Sequence, residues 1–322
     1  MTRKMLLAAS TGGHLAQLDR LAPMLGASPD SLWVTFRTPQ SESLLAGKRV
    51  LWVPYIKPRD WRGVLNAERR ITAALRTEHF EAAVSTGAGL ALAALPAARR
   101  RGIPTKYIES VSRVNGPSLT GRLLEWGRTA ELHTQHPSWA NARWKPHPSV
   151  LHTYRPVPRS VVPGAPRLFV TLGTIEGYRF DSVVDAVLSS GLADESTVWQ
   201  LGATPRDDLP GLVQAQMPAE EFSNHVASAD VVVSHAGVGT LLQLLDAGVH
   251  PVLAIRRKSR REHVDDHQAQ IASLADALGI ATVREGPDVD RNSLLRAAGL
   301  ATRTEMTLSG GRHLPSANRG NQ

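Results

Sequence analysis

Apolar runs of strand length alternate along this chain with longer stretches of helical periodicity, a rhythm that builds βα units around a parallel sheet. In the first half the strand-like runs fall at residues 4–9, 31–36, 50–54, 82–85 and 105–108, with helical patterns at 15–25, 61–77 and 90–101. The second half repeats the order, with strands at 168–172, 197–201, 213–217, 230–234 and 251–255 and helices at 180–190, 220–227, 238–247, 263–278 and 290–298. Between the halves, Pro146, Pro148, Pro156, Pro158, Pro163 and Pro166 argue against regular helix and central strand. The expected fold is therefore α/β with two Rossmann-like parallel-sheet domains: residues 1–150, a proline-rich linker at 151–166, and residues 167–305. Length agrees, because a single core seldom serves more than about 250–300 residues and this chain has 322. The Gly-, Ser-, Asn- and Arg-rich end, 306–322, reads as a disordered tail.

Composition narrows the function classes. With no cysteine there is no disulfide, thiolate metal site or thiol nucleophile. Arg3, Lys4 and the apolar run after them mimic a signal peptide, but Gly12, Gly13 and His14 end the run early, so a buried first strand is the reading. No stretch reaches the roughly 18 apolar residues of a membrane span, and a soluble or peripheral protein is expected. A net charge of +8 favours an anionic partner such as nucleic acid, an acidic membrane surface or a diphosphate. No nucleic-acid-binding module is recognisable, so no nucleic-acid partner is expected. Neither glycine turn has the Gly-x-Gly-x-x-Gly spacing with a later acidic residue, which disfavours a nicotinamide oxidoreductase.

Four segments carry the chemistry. Ser10, Thr11, Gly12, Gly13 and His14 follow the first strand directly and open a helix. Paired glycines let the backbone pass close to a ligand, and the free amides of a helix N-terminus attract an oxyanion. The alternative is a plain strand-to-helix turn with His14 as a surface cap. Val170-Thr171-Leu172-Gly173-Thr174 opens the second half in the same way, offering anion donors from Thr171, Gly173 and Thr174.

The most informative turn is Ser234-His235-Ala236-Gly237-Val238-Gly239-Thr240, where an apolar strand feeds glycines and then a helix. Unpaired amides and about half a positive charge of helix dipole can hold a diphosphate there, with Gln243 on the same helix. A turn that binds nothing is the competing reading. Last comes the basic run Arg256-Arg257-Lys258-Ser259-Arg260-Arg261, then Asp266, His267 and Gln268. The run either attracts anions or is a solvated loop, and the three polar residues can hydrogen-bond sugar hydroxyls. No convergent ligand set lies elsewhere, so no metal is expected.

Together these motifs resemble the MurG-like glycosyltransferase family 28. The second half is similar to that family's donor domain. It is especially similar to the catalytic subunit of the eukaryotic dolichol-linked GlcNAc transferase, through Ser234-His235-Ala236-Gly237 and His267-Gln268. The first half resembles that enzyme's acceptor-binding, membrane-recruiting subunit through Thr11-Gly12-Gly13-His14-Leu15, Tyr107-Ile108-Glu109-Ser110 and Ser118-Leu119-Thr120-Gly121. The chain thus resembles a fusion of the two over residues 4–300, like proteins of bacterial exopolysaccharide pathways.

The resemblance implies a GT-B fold and an inverting, cofactor-free and metal-free transfer of GlcNAc, another hexose or a hexuronic acid. The donor is a UDP-sugar, the acceptor a polyprenyl-diphosphate-linked saccharide, and the place the cytoplasmic face of the plasma membrane, with peripheral attachment. The implied donor set is Thr171, Gly173, Thr174, Met217, Ser234, His235, Ala236, Gly237, Val238, Gly239, Thr240, Gln243, Asp266, His267 and Gln268. Thr11, Gly12, Gly13 and His14 would meet the acceptor. Two features depart from the pattern: Gln243 stands where the family often has a ribose-binding carboxylate, and the membrane-spanning N-terminus of the eukaryotic partner subunit is missing.

An inverting transfer needs a general base for the acceptor hydroxyl. His14 is the first candidate, since an imidazole titrates near neutrality. Glu109 is the second, or else orients the acceptor, and His235 is read as structural. Residues 119–128 group Leu119, Leu123, Leu124 and Trp126 with Arg122 and Arg128, as an interfacial element or a core-packing helix. A UDP-sugar 2-epimerase or a non-catalytic UDP-binding protein would share these turns.

Overall fold

The computed structural model describes residues 2–57, 59–160, 164–173, 177–262 and 267–305, with only the backbone at position 267. Thr174, Asp266, the His267 side chain and the expected tail at 306–322 lie outside the described residues.

The first half forms β1 (Met5–Ala9), α1 (Gly13–Met24), β2 (Leu32–Phe36), α2 (Pro39–Leu44), β3 (Arg49–Val53) and α3 (Trp61–Thr77). It continues with β4 (Ala82–Gly87), α4 (Gly89–Arg99), β5 (Thr105–Ile108), α5 (Leu119–Gly127), β6 (Glu131–Thr134) and β7 (Trp144–Pro146). Its seven strands lie in the order β3-β2-β1-β4-β5-β6-β7, all parallel. Every residue of β1 is buried, as expected of a central strand covered by helices on both faces.

After β7 the chain forms β8 (Tyr154–Pro158), a strand of a two-stranded sheet inside the segment whose prolines argue against regular helix and central strand. The bonds Glu305 N to Thr153 O and Arg159 N to Gly299 O place odd-numbered residues at the hydrogen-bonded positions of this ladder. Pro156 and Pro158 therefore sit where no amide is needed, which is how a two-stranded edge accommodates proline.

The second half runs β9 (Leu168–Thr171), α6 (Asp181–Ser189), β10 (Val198–Gln200), β11 (Leu212–Gln214), α7 (Ala219–Ser228), β12 (Val231–His235) and α8 (Val238–Asp246). Then come β13 (Val252–Ile255), α9 (His267–Ala277), β14 (Thr282–Glu285), α10 (Arg291–Ala298) and β15 (Leu300–Thr304), which returns to pair antiparallel with β8. The parallel sheet order is β11-β10-β9-β12-β13-β14, the topology of the first sheet without its seventh strand. The two parallel sheets with their helices make a GT-B architecture.

The halves share a core. Leu15, Leu18 and Leu21 of α1 belong to one buried apolar cluster with Leu241, Leu242 and Leu245 of α8. Beside it, Arg20 pairs with Asp246, Tyr154 donates to Asp246 Oδ1 at 2.7 Å, and the Arg20 guanidinium stacks on the Tyr154 ring at 4.6 Å. Leu241→Ala should lower stability by about 2–5 kcal/mol, the usual cost of a buried leucine, and split thermal unfolding into two calorimetric transitions. One transition at the original temperature would show that the α1–α8 seam does not couple the halves.

Candidate active site

Chain order reverses beside β1 in the first sheet and beside β9 in the second. At such a switch point the turns leaving the strand ends diverge and open a crevice at the carboxyl edge of the sheet. The turns bordering the two crevices are residues 10–13 and 87–89 in the first half, and 172–173 and 236–237 in the second. Three of the four motif segments singled out above therefore lie at these edges.

In the first crevice Gly12 precedes α1 with φ +80°, a backbone state that glycine tolerates. His14, on the first turn of α1, reaches across to β4: its Nδ1 is 2.8 Å from the Thr86 carbonyl, and the Thr86 hydroxyl donates to the His14 carbonyl at 2.7 Å. A carbonyl only accepts, so Nδ1 carries the proton and Nε2 keeps its lone pair. A Cβ on Gly87 would collide with the His14 ring, and Gly87 itself has φ +146°. Ala88 follows at φ +54°, a strained state of the kind that clusters at functional turns. Burial lowers the His14 pKa below its usual value, against the opposing pull of the Thr86 carbonyl. The imidazole is neutral at pH 7 and able to take a proton.

Glu109 is placed differently from an acceptor-facing base. Its buried carboxylate accepts from Tyr107 Oη at 2.9 Å, Ser110 N at 3.1 Å and Ser118 N at 2.8 Å. Ser118 in turn caps α5 by accepting from Gly121 N. The carboxylate thus anchors the loop into α5, and its oxygens are engaged by the protein itself. A second buried link runs through Gln17, which donates to Ser110 Oγ and accepts from Val111 N and Gln135 Nε2.

In the second crevice the strand-borne hydroxyls are satisfied internally. Buried Thr171 accepts from Gln200 Nε2 at 3.1 Å, and buried Ser234 donates to the His235 carbonyl at 3.1 Å. Met217 packs with Phe169 and Phe222, while Gln243 is exposed on α8. The backbone edge is what faces the crevice. A Cβ on Gly173 would lie 3.2 Å from His235 Nε2, and one on Gly237 would collide with that same nitrogen. His235 therefore projects between the two glycine turns rather than toward backbone alone. At the start of α9, Gln268 Oε1 is buried with no hydrogen-bond partner, an acceptor that a ligand hydroxyl would satisfy.

The two crevices adjoin. A Cβ on Gly239 would come within 3.3 Å of Gly13 N, and one on Gly13 within 3.4 Å of Gly239 N. A side chain at Gly239 would thus meet the first-half backbone before any ligand. The contact puts His14, one residue past Gly13, at the border of the second crevice.

The basic run is an ion-pair network more than a solvated loop. Arg257 and Arg260 both bind Glu285, and Arg260 also binds Glu262. Arg256 is fully buried instead. It is absent from the expected donor set, although alternation along a strand buried on both faces puts position 256 on the same face as Val252 and Ala254, which pack in one cluster with Phe180. Among the described residues no group of three or more His, Cys, Asp or Glu could hold a metal.

Residues 214–288 match the glycosyltransferase family 28 C-terminal domain. The chain is 27% identical over 306 residues to a UDP-N-acetylglucosamine–N-acetylmuramyl-(pentapeptide) pyrophosphoryl-undecaprenol N-acetylglucosamine transferase of Prochlorococcus marinus (strain MIT 9303), covering 88% of this chain and 82% of that one. Its fold is similar to that of MurG from Acinetobacter baumannii, with a TM-score of 0.54 at 18% identity over 91% of this chain and 89% of the other. It also resembles UDP-bound MnaA of S. aureus, at a TM-score of 0.57 and 11% identity over 92% and 87% of the two chains. The transferase likeness runs through both halves, and together with the matched C-terminal domain it supports a MurG-like glycosyltransferase of family 28 on the GT-B fold.

Proposed function

We propose that this enzyme transfers a hexose, GlcNAc being the first candidate, from a UDP-sugar to a polyprenyl-diphosphate-linked saccharide with inversion, in cell-envelope or exopolysaccharide synthesis. The observation that carries the reading is the contact of Gly13 with Gly239, which sets a neutral, base-competent imidazole beside the turn suited to a diphosphate. The acceptor hydroxyl gives its proton to His14 Nε2 and attacks the anomeric carbon from the first crevice. The bond from that carbon to the diphosphate oxygen breaks on the opposite side, and UDP departs toward the second crevice. The α8 amides offset the charge it gains. Glu109 acts from behind, by fixing the loop that leads into α5. Of the expected donor set, the Gly173 and Gly237 turns and His235 meet at one place, and the unpartnered Gln268 Oε1 at the start of α9 would take a sugar hydroxyl.

Peripheral docking on the cytoplasmic face of the membrane belongs to the same proposal. Among the described residues no helix is long and apolar enough to cross a membrane. On α5, however, Leu119 is 64%, Leu123 43% and Trp126 86% exposed, beside exposed Arg122 and Arg128. Apolar and basic groups together suit an anionic lipid surface. Since Glu109 anchors the start of α5, that surface would lie next to the acceptor crevice.

Three measurements test these assignments. UDP-GlcNAc incubated with a short polyprenyl-diphosphate sugar should yield UDP and an extended acceptor by mass, with UDP binding retained in chelator. Conversion of UDP-GlcNAc without acceptor would make the protein an epimerase, and binding without turnover a non-catalytic relative.

His14→Ala should leave UDP affinity nearly unchanged and lower kcat by roughly 100-fold or more. Because burial depresses the His14 pKa, wild-type activity should fall on acidification with a midpoint below about 6.5, and the variant should lack that limb. An unchanged acidic limb in His14→Ala would remove this residue as base.

Finally, Leu123→Glu with Trp126→Glu should abolish sedimentation with phosphatidylglycerol vesicles while sparing UDP affinity. Undiminished sedimentation would move the membrane contact elsewhere.

A further inference from the structure

Arg256 follows β13 directly, and its side chain is 0% exposed. All three of its side-chain nitrogens, Nε, Nη1 and Nη2, are buried without a hydrogen-bond partner. The guanidinium lies 5.0 Å from the centre of the Phe180 ring. Glu262, the carboxylate whose field it feels, is committed elsewhere: it accepts from Ser182 Oγ, Arg257 N and Arg260 Nε. Burial draws the Arg256 pKa down to about 10, so the group is still a cation at neutral pH. A buried charge with no partner is costly unless something supplies the counter-charge. The cation is also aimed. Its Nη1 would lie 3.2 Å from a Cβ on Gly173, and His235 Nε2 would lie at the same distance from that Cβ. Guanidinium, imidazole and the Gly173 turn therefore converge at the switch point between β9 and β12, next to the N-terminus of the nine-residue helix α8.

We propose that Arg256 is a donor-binding residue whose guanidinium pairs with the diphosphate of the bound nucleotide sugar in the second crevice. The proposal rests on the reading that this crevice takes a UDP-sugar. Glycosyl transfer leaves the bonding electron pair of the anomeric C–O bond on the β-phosphate oxygen, so UDP departs with one more negative charge than the esterified diphosphate carried. A guanidinium with unused donors stabilises that charge where a divalent cation otherwise would. It also explains why this member of the basic run is held away from Glu262 and Glu285 while its neighbours are paired to them.

Calorimetric titration of wild type, Arg256→Met and Arg256→Lys with UDP and with uridine tests the proposal, alongside melting curves with and without UDP. Arg256→Met should lose UDP affinity by about 10- to 100-fold, as expected for losing hydrogen bonds to a charged group, and should bind uridine like wild type. Arg256→Lys should recover part of the loss. Without ligand, Arg256→Met should melt no lower than wild type, since it removes an unpaired buried charge, yet its rise in Tm at a given UDP concentration should shrink with the lost affinity.

Equal UDP affinity in wild type and Arg256→Met overturns the proposal alone, and so does a joint loss of uridine affinity and of Tm, which would mark Arg256 as structural. A loss confined to UDP-glucuronate, with UDP and UDP-glucose unaffected, would assign the cation to a sugar carboxylate and overturn the diphosphate pairing. Failure of wild type to bind UDP would overturn the donor reading and this proposal with it.

Discussion

The helices α1 and α8 lie side by side with their N-termini in contact through Gly13 and Gly239, and the placement of both crevices depends on that contact. Each glycine leaves 3.3–3.4 Å between the other's backbone nitrogen and the position a Cβ would take, so a larger residue at either position would push the halves apart. Behind the glycines the leucines of both helices share one core, and Arg20, Asp246 and Tyr154 close its rim. Two helix N-termini facing one small volume concentrate positive potential there. An anion entering that volume is favoured by both.

Around this seam, buried polar groups divide into those that hold the backbone and those left open. Glu109, Gln17 and Gln135 spend their hydrogen-bonding capacity on the loops that follow β5 and β6. Thr171 and Ser234 are likewise satisfied by protein neighbours. Arg256 and Gln268 Oε1 are the contrasting cases, buried and unpartnered. Native proteins rarely leave buried polar atoms unsatisfied without a functional reason, and both of these belong to elements that follow the carboxyl edge of the second sheet.

Much of the fold is legible in the sequence. The stretches 105–108 and 61–77 are bounded as β5 and α3 are, since periodicity and flanking polar residues mark their ends. Strands β6, β7 and β14 escape the pattern, because Glu131, His133, Lys145, Arg284 and Glu285 leave no apolar run in them. Strand β8 hides behind its prolines, because their tolerance depends on the parity of a ladder whose partner, β15, lies some 140 residues further along the chain.

The glycine turns, their position after apolar strands and the His14 and Ser234-His235-Ala236-Gly237 signatures belong to the sequence by itself, because local backbone geometry dictates glycine there and strand ends dictate where ligands gather. Side-chain roles do not follow from local pattern. Glu109 reads as a second base until Tyr107, Ser110 and Ser118 are seen to occupy its oxygens. Arg256 reads as one more charge in a basic run until Glu262 and Glu285 are seen to pair with its neighbours and not with it. Which hydrogen bonds a polar group makes is settled by residues distant in the chain, and that pairing exists only once the two sheets and the seam between them have formed.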